Sequence, residues 1–225
     1  MPARSDSRHS WGRPGATVGV AASVAAFGTA LAAVSGHGAV AAADRRLLNV
    51  FGGHRIPWLS IVARWCTHLG SVPVVLVAAT AAIALCLVQR RATEALLIVL
   101  SIAITAGAVR IVKEVVGRSG PDPHAHLGVN SGKAFPSGHS AQAVACYFAL
   151  AWILNRTVVS RGLRFAVWTA AGVLAVVVGW SRVYFRVHWP SDVLAGWAVA
   201  AFVLTLLIVV VPRRARTFDR GPDPV

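Results

Sequence analysis

Negative charge is scarce in this sequence. Eight Asp and Glu residues stand against 22 Lys and Arg, for a formal net charge of +14. Charged residues of both signs fill only 13% of the 225 positions, while 56% are hydrophobic. So little charge across so apolar a chain excludes an ordinary soluble domain. It also excludes a nucleic-acid reader, which needs a soluble core to carry its basic face. Cysteine is scarce too. Cys66, Cys86 and Cys146 show neither paired nor metal-like spacing. Cys86 and Cys146 lie inside apolar runs, where a small core residue is expected. Lysine is nearly missing, since 20 of the 22 basic residues are Arg. No repeat recurs at a fixed period, and the length suits one compact bundle.

What the chain does have is a series of apolar runs of membrane length. They read as spans over 17–40, 71–88, 95–111, 140–154, 165–180 and 193–211. The first is followed by the small-residue pattern AVAAAD (39–44), as a signal peptide would be, but it is longer than a usual signal core and reads as a retained helix. Residues 41–70 mix Asp44, Arg45, Arg46, Arg55 and Arg64 with Leu47, Leu48, Val50, Phe51, Trp58 and Trp65, the pattern of amphipathic segments lying at an interface. The fold expected is an all-α integral membrane protein, a six-transmembrane-helix bundle with that interfacial segment between helices 1 and 2. Residues 1–15 are expected to be a disordered cytoplasmic N-terminus, 16–212 the membrane domain and 213–225 a basic cytoplasmic tail. Trp11, Trp58, Trp65, Trp180 and Trp189 suit interfacial anchors, and His37 sits near the outer end of the first span.

Six spans place both termini on one side. With the N-terminus cytoplasmic, the inner segments hold Arg4, Arg8, Arg13, Arg90, Arg91, Arg156, Arg161, Arg164, Arg213, Arg214, Arg216 and Arg220. These are twelve of the 22 basic residues, a small excess inside. The rule for membrane orientation becomes persuasive only if the outer cations have another task, such as holding a substrate.

Three polar clusters fall on that outer face. They are KEVVGRSGP (113–121), PSGH (136–139) and SRVYFRVHWPSD (181–192). Lys113, Arg118 and Arg182 supply positive charge, while His139 and His188 can pass protons or attack. Pro136 suits the approach to a helix and Pro190 the first turn of the last span. Ser137 and Gly138 offer backbone N–H groups, a hydroxyl and room, where a helix N-terminus favours an anion. His139 would stand beside such an anion and protonate a leaving oxygen. Asp192, four residues after His188, would accept from one imidazole nitrogen and leave the other free to attack. Taken singly, each cluster also reads as an ordinary helix cap, an i,i+4 pair or a snorkelling side chain. Arg186 and Lys133 read as headgroup contacts or solvated charges, and His124 and His126 as loop residues without the further ligands a metal needs.

Order and spacing of the three clusters resemble the type 2 phosphatidic acid phosphatase family, membrane lipid phosphatases related to soluble vanadium haloperoxidases. That family carries Lys-x6-Arg-Pro, Pro-Ser-Gly-His and Ser-Arg-x5-His-x3-Asp motifs. The second is complete at 136–139, and the third at Ser181, Arg182, His188 and Asp192. THLGS (67–71) also resembles a family feature. The first motif departs: Gly120 stands where its Arg belongs, followed by the expected Pro121, with Arg118 two positions earlier.

The resemblance implies that His188 is a nucleophile forming a phosphohistidine, oriented by Asp192, with His139 protonating the leaving group. It implies phosphate binding by Lys113, Ser137, Gly138, Ser181 and Arg182, with Arg118 taking over for the missing motif Arg. It implies no metal and no cofactor. The expected activity is hydrolysis of a lipid phosphate at the extracytoplasmic face of the cell membrane. Polyprenyl phosphate or diphosphate, phosphatidylglycerophosphate and phosphatidate all remain open as substrates. A lipid phosphotransferase using the same intermediate and a non-catalytic lipid transporter or scaffold are the alternatives. Partners are the lipid substrate and membrane lipids, with no nucleic acid; the sequence leaves oligomeric state open.

Overall fold

The computed structural model describes residues 13–52, 56–121 and 132–211. Within them the chain forms α1 (Arg13–Ala32), a 3-10 turn (Ala33–Ser35), α2 (Gly38–Gly52), α3 (Pro57–Leu69), α4 (Val72–Val88), α5 (Ala92–Val116), α6 (Gly138–Asn155), α7 (Arg161–Tyr184) and α8 (Pro190–Val210). No sheet forms among the described residues, and one isolated bridge pairs Ser119 with Lys133. Four stretches are long and apolar enough to cross a membrane: Pro14–Ser35, Ala92–Val116, Arg161–Tyr184 and Pro190–Val210. Pro57–Leu69 and Val72–Val88, bent by 48° at their junction, supply a fifth if the pair is one span. This is the architecture of an integral membrane protein.

Two expectations change. The apolar run 17–40 is not one helix. Gly36 takes a left-handed φ of 73° and returns its N–H to the Ala33 carbonyl, ending the 3-10 turn, and the chain restarts as α2 at Gly38, itself at φ 81°. A Cβ is strained at such φ, so the two glycines set the break whatever the hydropathy around them. The expected span 140–154 forms as α6, but α6 is not among the stretches apolar enough to cross by composition. Its first turns carry His139, Ser140 and Gln142. It tolerates them because it is wrapped by α4, α5, α7 and α8. Polar groups at membrane depth belong inside the protein.

Small residues make that wrapping possible. Ala141, Ala145 and Ala149 of α6, Ala171 and Ala175 of α7, and Ala195, Ala198 and Ala200 of α8 are all buried. Apolar lipid gives helices no hydrophobic reason to associate, so close backbone approach has to hold them. α1 lies along α8, and α3 along α7. α2 covers the top of α7 and α8, burying Ala41, Asp44, Leu48 and Gly52 along one stripe while Arg45, Arg46, Leu47 and Val50 face outward.

The alternating directions of α5 to α8 bring the ends of α5 and α7 beside the starts of α6 and α8. All three polar clusters therefore share one end of the bundle. Arg90, Arg91, Arg156, Arg161 and Arg164 gather at the other, where Arg156 stacks over Trp152 at 4.8 Å. Of the expected terminal segments 1–15 and 213–225, residues 1–12 and 213–225 lie outside the described residues, as do Arg55 and the pair His124 and His126, while residues 13–15 open α1.

Candidate active site

The chain reaches the site first at the start of α6. Ser137 is its N-cap, in extended conformation with no side-chain cap bond, and Gly138, His139 and Ser140 form the open first turn. The Ser137 N–H is not available to an anion, because it donates to the Asp192 carbonyl at 2.8 Å. What remains is the N–H groups of the first turn. The Ser137 hydroxyl, fully buried, accepts from Ser140 at 3.0 Å. α8 comes this close because position 196 is glycine. A Cβ there would stand 2.5 Å from the Ser137 carbonyl oxygen.

α8 starts at Pro190, as the sequence suggests, and Asp192 sits in its first turn. The Asp192 carboxylate is fully buried, and its Oδ2 accepts the Trp189 N–H at 2.9 Å, closing the helix N-terminus. The same Oδ2 lies 3.5 Å from His188 Nδ1, an electrostatic contact longer than a normal hydrogen bond. Nε2 is then the imidazole nitrogen left for chemistry. Burial holds the His188 pKa below its ordinary 6.5, Arg182 and Lys113 push the same way, and Asp192 opposes them.

Arg182 comes from the last turn of α7 and is 3% exposed. It donates to Thr67 Oγ1 at 2.8 Å, its Nε has no partner, and no carboxylate reaches it among the described residues. Lys113, at the end of α5, donates to the Lys133 carbonyl at 2.5 Å. Lys133 is itself paired with Glu114 on the rim. His139 shares its electrostatic surroundings with Arg182, His188, His68 and Lys113. Lys113, His139, Arg182, His188 and Asp192 thus meet, from four helices and one loop.

Two expected phosphate ligands stand differently. Ser181 is buried and spends its proton on the Val178 carbonyl at 2.6 Å, so it has no hydroxyl proton to offer an anion. Arg118 is occupied by carboxylates. It donates to Asp192 Oδ1 at 2.8 Å, to Asp44 Oδ2 at 2.9 Å and to the Ser191 hydroxyl at 2.7 Å, with its guanidinium 5.1 Å from the Trp189 ring centroid. Charge alone aimed Arg118 at an anion; two buried acids claim it first. Gly120 lies against the residue preceding His188, where a Cβ would stand 3.2 Å from the Val187 carbonyl oxygen.

Three further residues contribute to the site beyond those expected of it, and one of them, Asp44, escapes a reading of charge and motif. Asp44 accepts from Arg118, from the Ser191 N–H at 2.8 Å and from the Ser191 hydroxyl. As a lone acid in an amphipathic segment it gives no sequence signal. Thr67 and Gly70 belong to THLGS, which did give one. Thr67 holds Arg182, and Gly70 leaves room for α6: a Cβ there would stand 2.5 Å from Val178 Cγ1 and 2.9 Å from the His139 carbonyl oxygen.

A family model described as the PAP2 superfamily matches residues 94–216, the stretch containing all three clusters. Phosphatidylglycerophosphatase B of Bacillus subtilis is 34% identical over 179 residues, which is 79% of this chain and 87% of that protein. A lipid A 1-phosphatase of Rhizobium johnstonii is 32% identical over 123 residues, 50% of this chain and 46% of that protein. Among solved structures, a transmembrane PAP2-type phosphatidylglycerolphosphate phosphatase from Bacillus subtilis superposes with a TM-score of 0.70 at 29% identity, over 83% of this chain and 94% of that one.

Proposed function

This chain belongs to the PAP2 superfamily, and from that premise we propose that it hydrolyses lipid phosphates through a phosphohistidine on His188. One observation carries the reading: Arg182 is buried beside His139 and His188 with no carboxylate among the described residues to balance it. An unpaired buried guanidinium is costly, and a phosphate among Arg182, Lys113 and the first-turn N–H groups of α6 removes that cost. Those groups form the anion site, with the Ser137 hydroxyl beside it.

The chemistry follows from the positions. His188 Nε2 attacks phosphorus as the bond to the lipid oxygen breaks. His139 gives that oxygen its proton, and Asp192 stabilises the positive charge that develops on His188. Water, losing a proton to His139, then cleaves the N–P bond and releases phosphate. Arg182, Lys113 and the helix N-terminus stabilise the equatorial oxygens throughout. Three fixed positive groups supply the charge that other phosphatases take from metal ions, so the reaction is metal-independent.

Phosphatidylglycerophosphate is the first substrate to test, since the phosphatidylglycerophosphatase is matched over most of both chains. The six crossings are α1, the α3–α4 pair, α5, α6, α7 and α8. With the Arg-rich opposite end cytoplasmic, the site opens on the extracytoplasmic face. Purified protein in detergent, given a panel of lipid phosphates, should release inorganic phosphate. Substrate labelled on phosphorus should leave label on the protein that survives alkali and is lost in acid. Absence of phosphate release from every lipid of the panel would defeat the reading.

A further inference from the structure

Arg118 and the two acids it joins are the least expected feature of the site. Asp44 is 4% exposed and Asp192 is fully buried, so both charges have left water. Burying such a group is expensive unless its partners are well placed. Here every partner leads to the start of α8. Asp44 takes the N–H and hydroxyl of Ser191, and Arg118 bridges Asp44 to Asp192 while also touching Ser191. With Oδ1 on Arg118 and Oδ2 on the Trp189 N–H, the Asp192 carboxylate cannot turn away from His188.

The charge count matters as much as the geometry. Arg118 alone would cancel Asp192 just where His188 must gain positive charge. Asp44 adds a second negative charge, so the triad keeps a net charge of minus one behind the imidazole. The other groups that His188 meets electrostatically are Arg182 from α7, Lys113 from α5 and His139 from α6, none of them acidic.

We propose that Arg118 and Asp44 are positioning residues: Arg118 clamps the Asp192 carboxylate behind His188, and Asp44 anchors Arg118 while restoring the negative charge it removes. This rests on the phosphohistidine reading of His188. It ties α2 to the chemistry and separates Arg118 from the phosphate-holding cations.

The test uses the full chain in detergent with a short-chain soluble lipid phosphate, comparing wild type with Arg118→Gln, Arg118→Lys, Asp44→Asn and the Arg118→Gln/Asp44→Asn double variant. For the Gln and Asn variants kcat should fall about tenfold or more, while KM and the inhibition constant of inorganic phosphate stay within about twofold. Arg118→Lys should recover part of kcat. The titration midpoint of His188, followed by NMR of histidine-labelled protein, should rise in Arg118→Gln, where two carboxylates remain. It should fall in Asp44→Asn, where none is left in excess, and return toward wild type in the double variant. A purely structural triad lowers the melting temperature without opposed midpoint shifts, and that result overturns the proposal. So does an Arg118→Gln enzyme whose phosphate inhibition constant rises tenfold at unchanged kcat, because Arg118 would then be an anion ligand. Wild type that hydrolyses no lipid phosphate defeats the phosphohydrolase reading alone, and the opposed midpoint shifts still decide this one.

Discussion

The Arg182 guanidinium donates a 2.8 Å hydrogen bond to the Thr67 hydroxyl across 115 residues of sequence. It places a helix-end threonine of α3 in control of the most buried cation of the site. Thr67→Val keeps the shape and removes the acceptor, leaving one more Arg182 donor unsatisfied. A buried unsatisfied donor costs about 1–3 kcal/mol. Orthovanadate inhibition should therefore weaken about tenfold in Thr67→Val, with Thr67→Ser close to wild type. Equal inhibition of Thr67→Val and wild type would mean that Arg182 is held by other means.

His188→Ala should reduce phosphate release to the uncatalysed background and abolish the alkali-stable label, because the proposed route passes the phosphoryl group through this side chain. Asp192→Asn keeps the helix cap through its amide oxygen but loses the charge behind the imidazole. It should fall by about 10²- to 10⁴-fold and still form label slowly. Turnover by His188→Ala would rule out the covalent route.

Burial keeps His188 neutral to a lower pH than the usual 6.5. The proposed nucleophile is thus neutral at neutral pH, and the acid limb that it contributes to kcat/KM should lie below 6.5. Asp192→Asn removes the group that favours the imidazolium, so its limb should move lower still. The substrate's own ionisation is common to both profiles and cancels in the comparison. Stability follows the same sign. The unfolded chain binds this proton more readily, so the contribution of His188 disfavours folding increasingly as pH falls below about 6.5 and vanishes above it. A limb moving upward in Asp192→Asn would contradict the assignment.

Orthovanadate should inhibit and EDTA should not, since the cations proposed to hold the phosphoryl group are Arg182 and Lys113. Loss of activity on chelation, restored by an added divalent metal, would turn attention to His124 and His126.

Gly70→Ala places a methyl group 2.5 Å from Val178 Cγ1 and 2.9 Å from the His139 carbonyl oxygen. Overpacking of this kind costs about 1–3 kcal/mol. The melting temperature should drop, and kcat should drop with it as His139 shifts. A Gly70→Ala enzyme with wild-type stability and turnover would show that the α3–α4 bend has slack there.

The parts of the site that were legible in sequence are those built on local spacing. Asp192 follows His188 by four positions, a helix start lies between them at Pro190, and PSGH opens a helix where hydropathy turns apolar. Such patterns carry their geometry with them. Long-range pairing does not. Nothing near Asp44 in the chain points to Ser191, 147 residues away. Arg118 kept its charge in the sequence reading but not its partner, because a cation near a presumed anion site looks the same whether it faces phosphate or carboxylate. The helices followed from apolar length, except where Gly36 ended one of them, since hydropathy does not register φ; α6 forms where expected but is not among the stretches apolar enough to cross by composition.

The seat that Gly196 makes for the first turn of α6 has a consequence for how the protein comes into being. The ribosome releases the chain from its N-terminus, so Thr67, Lys113 and the α6 turn enter the membrane before His188, Asp192 and α8 exist. Docking of Gly196 on Ser137 is what brings the Asp192 carbonyl to the Ser137 N–H at the start of α6, whereas His188 is already tied to the Arg182 carbonyl through its own backbone N–H at 3.3 Å. A chain still without α8 therefore lacks both the Asp192 carboxylate and the seat of the α6 turn, and the proposed hydrolysis waits until the last helix is in place.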